Sequence, residues 1–197
     1  MTTFHEEVPP PTTPASPAPA SGDVTLPLSA TGRKRLTLLW SVAIFTAVMD
    51  QLAKAGVRKV IPFGGEHPLL PGWLHLSHAH NQGAAWGVLS GHRWLLIAIA
   101  LGVVLLVANV AREIASRSSL AACGLGFIVG GAMGNLIDRI TQGYVTDFMD
   151  LDTPVAWLRT FPIWNLADGA LTVGAVLMAV SFLMGMRHPA GEERARE

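Results

Sequence analysis

Four apolar stretches, each near the length a helix needs to cross a bilayer, dictate what this chain of 197 residues becomes. They lie at about 36–55, 94–110, 120–140 and 163–186. A span of roughly 20 apolar residues covers the hydrocarbon core, where every backbone polar group must find its partner within the protein. The sequence therefore predicts an all-α membrane protein of four transmembrane helices. Half of the residues are hydrophobic and only 14% are charged, too apolar for an ordinary soluble domain. Fourteen basic residues balance fourteen acidic ones, which argues against a nucleic-acid partner. The single cysteine, Cys123, falls inside an apolar stretch, so no intrachain disulfide is possible.

Residues 1–32 form a Pro/Thr/Ala/Ser tract with too little apolar surface to fold, expected as a disordered cytoplasmic tail. It lacks the basic, apolar and small-residue order of a signal peptide. Residues 33–188 are then the membrane domain, and 189–197 a second cytoplasmic tail. Basic residues near the span ends set the orientation. Arg33, Lys34 and Arg35, then Arg112 and Arg117, then Arg187, Arg194 and Arg196 share one side. Arg58, Lys59, Arg93, Arg139 and Arg159 lie on the other. The asymmetry is modest and predicts both termini in the cytoplasm, with the 56–92 and 141–162 loops outside. Alternating apolar and polar residues over 72–77 predict a strand, part of a small extracytoplasmic β-rich platform on the membrane surface.

The unusual chemistry gathers at that outer end. Asp138 and Asp168 end long apolar segments, and Asp147 lies in the intervening segment, expected as a loop. An ionisable group at a bilayer edge is costly and needs a partner or a task. Asn135 and Asp138 are three apart, on one helix face, and continue a stripe of Gly126, Gly130 and Gly134 suited to close helix packing. Asn165 and Asp168 follow a proline and fit a helix cap with an acid in the first turn. Asp50 and Lys54 are spaced as an i, i+4 ion pair, a structural role. His75, His78 and His80 match no zinc pattern, and neither a metal nor another cofactor is expected. No GxSxG elbow occurs, and Ser77 beside His78 is too little to point to serine chemistry. Two carboxylates held together cannot both ionise easily; the ionised one activates water while its protonated neighbour donates. Asp138, Asp147 and Asp168 are equally eligible for that pair on these grounds. A proton-relaying transporter would carry its carboxylates nearer the midplane. A non-enzymatic assembly protein would leave their grouping unexplained.

Five blocks, in order, carry a resemblance. They are Met49-Asp50-Gln51-Leu52-Ala53-Lys54, Asn81-Gln82-Gly83-Ala84-Ala85-Trp86-Gly87, Gly130-Gly131-Ala132-Met133-Gly134-Asn135-Leu136-Ile137-Asp138-Arg139, Val145-Thr146-Asp147-Phe148 and Phe161-Pro162-Ile163-Trp164-Asn165-Leu166-Ala167-Asp168. Over about 36–186 the chain resembles the bacterial lipoprotein signal peptidases (signal peptidase II), with Trp86 where a Phe is frequent. The resemblance implies an aspartic endopeptidase of the bacterial inner membrane. It would cleave diacylglyceryl-modified prolipoproteins N-terminal to the lipidated cysteine. It also implies partners in the membrane lipid itself and in globomycin-type peptide inhibitors. Matched by motif, the catalytic dyad falls on Asp147 and Asp168. Asn135, Asp138, Arg139 and Asn165 would position it, Asn81 and Arg139 would contact the substrate backbone, and Asp50 and Lys54 would buttress the site.

Overall fold

A computed structural model describes residues 28–186. Residues 1–27 of the expected N-terminal tail, and all of the expected C-terminal tail, lie outside the described residues; the last residues of the expected N-terminal tail are instead ordered, with Ser29 capping a helix that begins at Ala30. Four helices, α1 (Ala30–Val60), α2 (Arg93–Arg117), α3 (Ser119–Thr141) and α4 (Leu166–Met186), are long and apolar enough to span a membrane. Ser29 caps α1, its Oγ accepting from the Gly32 amide at 3.0 Å. Ser118 caps α3 through the Ala121 amide at 3.1 Å. Each serine satisfies a donor that the first helical turn leaves without a carbonyl. Ser118 alone separates α2 from α3, so the two run antiparallel. Its hydroxyl also lies 3.2 Å from Ser181 Oγ, bringing the end of α4 to the start of α3. The opposite end of the bundle therefore gathers the C-terminus of α3 and the N-terminus of α4.

α3 is the central helix. In its apolar window 67% of residues are buried, against 11% for α4, which faces outward around most of its circumference. Glycines make this centrality possible. A Cβ on Gly126 would sit 2.7 Å from Leu39 O, and one on Gly130 2.6 Å from Ala43 O, so backbone meets backbone across α1 and α3. On another face of α3, a Cβ on Gly131 would lie 2.5 Å from Ala167 O of α4. Lipid tails give helices no hydrophobic reason to associate, and close packing of small residues supplies the attraction instead. Large apolar side chains point outward in compensation, among them Ile44, Phe45 and Leu52 of α1, Leu105 and Leu106 of α2, and Val176 and Phe182 of α4.

Three antiparallel strands cover the α3–α4 end in the order β1 (Glu66–Leu70), β2 (Leu74–Asn81), β3 (Val145–Asp150). β1 and β2 are joined by Leu70-Pro71-Gly72-Trp73, with the Trp73 amide on Leu70 O at 2.9 Å and Gly72 at φ +76°. Proline presets the first central position of such a turn and glycine tolerates the second. The strand expected over 72–77 begins after this turn and runs on to Asn81. Asp147 lies on a strand, where a loop was expected. β3 pairs with β2 on one edge, and on the other Met149 pairs with Trp164. Those partners are distant in sequence, so a six-residue segment gives no local sign of them. The same bridge holds Trp164 extended and delays α4 to Leu166, three residues later than the apolar run begins. α2 continues to Arg117, past the apolar run that ends near 110.

Candidate active site

The site grows from one stripe of α1. Asp50 Oδ2 and Lys54 Nζ are 2.8 Å apart with both side chains at 0% exposure. Burying an ion costs several kcal/mol unless hydrogen bonds and an opposite charge surround it. Here both are surrounded. Lys54 Nζ donates to Asn135 Oδ1 at 2.8 Å and lies 3.4 Å from Asp138 Oδ2. Asp50 Oδ1 accepts from the Ala167 amide at 2.9 Å, in the first turn of α4. A carboxylate there satisfies an open N–H and meets the positive end of the helix dipole. The structural pair expected from spacing thus ties α1 to α3 and α4.

Asp138 is wholly buried and ringed by donors. Its Oδ2 accepts from the Thr146 amide at 2.9 Å. Its Oδ1 lies 3.2 Å from Gln51 Nε2 and 3.4 Å from Arg58 Nη1. Gln51 also donates to Gly134 O at 3.0 Å. Gln51 and Arg58 were not among the sequence candidates. Gln51 sits inside a matched block, and Arg58 continues the spacing of four from Asp50 and Lys54. That spacing was the available signal.

Asp147 and Asp168 are linked through Asn165. Asn165 Nδ2 donates to Asp147 Oδ1 at 2.6 Å, and Asn165 Oδ1 accepts from the Asp168 amide at 3.0 Å. Asp168 Oδ2 in turn accepts from the Asn165 amide at 3.3 Å. This reciprocal pairing is a helix-capping arrangement, so the cap and the juxtaposition of carboxylates coexist. Asn135 Nδ2 donates to Asp168 Oδ1 at 2.8 Å, which relays the Lys54 contact to that carboxylate. Asn81 Nδ2 donates to Asp147 Oδ2 at 3.0 Å. Burial, and next the charge of Asp168, push the Asp147 carboxyl up to about 6, against the pull of the Asn165 and Asn81 amides and of Lys54.

Asp147 opens onto a cleft of about 410 Å³ lined also by Asn81, Gly83, Trp86 and Ile163. Arg139 Nη2 donates to Gly83 O at 2.7 Å and its Nη1 to Asn135 O at 3.4 Å. The Gly83 amide donates to Asn81 Oδ1 at 2.8 Å. A Cβ on Gly83 would lie 2.7 Å from Val88 O, so this loop closes on itself only with glycine there. All nine sequence candidates, Asp50, Lys54, Asn81, Asn135, Asp138, Arg139, Asp147, Asn165 and Asp168, thus join one network. The histidines make other contacts, although His80 also lines the cleft. His75 is 3.6 Å from Asp152, His78 Nδ1 meets Ile61 O at 2.8 Å, and His80 stacks between Phe63 and Tyr144. Burial, then His78, lowers the His80 pKa. Among the described residues no three His, Cys, Asp or Glu side chains are grouped to hold a metal.

The same architecture recurs in known proteins. The family model described as signal peptidase (SPase) II matches residues 42–184. A lipoprotein signal peptidase of Listeria monocytogenes is 36% identical over 151 residues, covering 76% of this chain and 96% of that protein. One from Geobacillus kaustophilus is 36% identical over 141 residues, covering 71% and 88%. A bacterial membrane enzyme solved by the in meso method at 2.3 Å resolution superposes with a TM-score of 0.70 at 29% identity, over 76% of this chain and 90% of that one. With its matching blocks spread along the helices and sheet that build the site, the chain belongs to the signal peptidase II family.

Proposed function

We propose that this chain, a membrane-embedded aspartic endopeptidase that removes signal peptides from prolipoproteins, uses Asp147 and Asp168 as its catalytic dyad. The observation that carries the reading is that Asn165 donates to both carboxylates, through its side-chain amide to Asp147 and its backbone amide to Asp168, beside a cleft onto which Asp147 opens. The raised Asp147 carboxyl is the proton holder and Asp168 the base. Asp168 takes a proton from water as the water oxygen attacks the scissile carbonyl carbon, and Asp147 protonates the carbonyl oxygen. Collapse of the tetrahedral intermediate breaks the C–N bond as Asp168 passes its proton to the leaving amine and Asp147 takes back a hydroxyl proton, which restores the dyad. Asn135 and Asn165 hold the two carboxylates in register, Asp138 anchors β3, and Asp50 with Lys54 fixes the helices beneath. Asn81 and Arg139, at the cleft wall and the Gly83 loop, are the groups positioned to meet the substrate backbone.

The substrate is the diacylglyceryl-modified precursor, cleaved N-terminal to its lipidated cysteine. Its lipid lies in the bilayer, so its scissile bond arrives near the membrane surface, at the depth of a site built where helices meet a sheet. The sites of basic residues support both termini in the cytoplasm and the dyad near the extracytoplasmic face. The peptidase domain begins with the Ser29 cap of α1 and runs to about 188, with the residues before Ser29 and 189–197 as cytoplasmic tails. Purified protein given lipid-modified and unmodified precursor tests the reading. Cleavage of the modified precursor, blocked by globomycin, is the expected result; equal cleavage of the unmodified form, or indifference to globomycin, contradicts it.

A further inference from the structure

β3 carries Asp147, yet its pairing with β2 is irregular beside that residue. The register runs Leu76↔Met149 and then Ala79↔Asp147, so two β2 residues, Ser77 and His78, oppose the single Phe148. Such a bulge bends and twists a strand locally and loosens the ladder's hold on side-chain direction. A slip of one residue would turn Asp147 away from the cleft, because successive side chains point to opposite faces. Thr146, the residue before it, is held at two points. Its amide donates to Asp138 Oδ2 at 2.9 Å, and its hydroxyl accepts from Arg58 Nη1 at 2.8 Å. Arg58 Nη1 also lies 3.4 Å from Asp138 Oδ1, which ties both anchors together. Thr146 is completely buried, whereas the Arg58 side chain is 22% exposed.

We propose that Arg58 and Thr146 form a clamp that sets the register of β3 beside its bulge and thereby aims Asp147 at the cleft. They are positioning residues: neither reaches the reacting atoms, and both act through the strand between them and Asp147. Arg58 extends the Asp50–Lys54 stripe by one turn, so α1 locates the strand by its third polar residue as it locates α3 and α4 by the first two. The inference rests on Asp147 belonging to the dyad.

The test is kcat and KM for a lipid-modified precursor, measured on the purified full chain. Thr146→Val keeps the amide anchor and β-branching but loses the hydroxyl. It is expected to lower kcat on the order of tenfold with KM within about twofold of wild type, since small misplacement of a reacting group costs rate rather than binding. Thr146→Ser is expected to restore kcat. Arg58→Met, on a partly exposed helical position, is expected to lower kcat comparably and supplies the test if the valine variant does not fold. The double variant is expected to be no slower than the slower single one, because the contact that Thr146→Val removes is already absent in Arg58→Met. The clamp is overturned if both single variants keep kcat within twofold, if only KM changes, or if the two losses multiply. Asp147→Asn separates the failures: an active Asp147→Asn overturns the dyad, whereas an inactive one beside fully active Arg58 and Thr146 variants overturns the clamp alone.

Discussion

Asp147 and Asp138 are both buried aspartates at the same end of the bundle, but their surroundings assign them different work. Asp138 meets two cations, a side-chain amide and a backbone amide. Asp147 has two neutral amide donors and a neighbouring carboxylate instead. Asp138→Asn is therefore expected to lower processing partially, by loosening β3, while leaving measurable turnover; total loss would give it a catalytic role. A carboxyl raised from 3.8 to about 6 binds its proton more tightly in the folded protein than in the unfolded chain. Its contribution to stability is fully present below about pH 3.8, is lost as pH rises toward 6, and then levels off, a change of roughly 3 kcal/mol. Asp147→Asn cannot ionise, so its stability relative to wild type is expected to rise between pH 4 and 6 and stay flat above. Unfolding midpoints in detergent across that range measure this. The same titration is expected to bend kcat/KM downward as pH rises through about 6, where the free enzyme loses the shared proton. At this scale the sequence nominated three aspartates on equal terms. What separates them is which donors converge on each, and those come from α1, β2, α3, β3 and the residue before α4, several of them far away along the chain.

Among the elements, α3 was the most legible, because glycines four apart leave a mark in the sequence that has one principal physical use. Its consequence is sharp at Gly134, where a Cβ would lie 2.5 Å from Asp50 Oδ2. Gly134→Ala is expected to destabilise the protein by about 1–3 kcal/mol through overpacking and to reduce processing. Gly102→Ala on α2, where nothing lies within 4 Å of the new Cβ, is expected to leave both unchanged. Thermal unfolding and a processing assay on the two variants measure the contrast. β3 was the least legible element. Its pairing partners, β2 and Trp164, are set by tertiary contacts, and its turn-rich surroundings read as loop. The start of α4 was obscured for a related reason: Ile163 and Trp164 are apolar enough to extend the helix, but Trp164 is held by Met149.

For the molecule as a whole, the four spans followed directly from hydropathy, and the β1–β2 hairpin at one end follows from the proline- and glycine-rich first loop. The proposed orientation has its own test. With Cys123→Ser as background, a cysteine placed at Ser90 is expected to react with a membrane-impermeant thiol reagent added to intact cells. One placed at Ser118, in the α2–α3 turn, is expected to react after the cytoplasmic side is opened. The reverse pattern would invert the topology. The measurement that bears most directly on the central claim is processing of a lipid-modified prolipoprotein by purified Asp147→Asn and Asp168→Asn proteins, each first shown to be inserted and folded. The expected result is no detectable cleavage by either variant while wild type completes the reaction. Near-normal cleavage by either one would contradict the dyad.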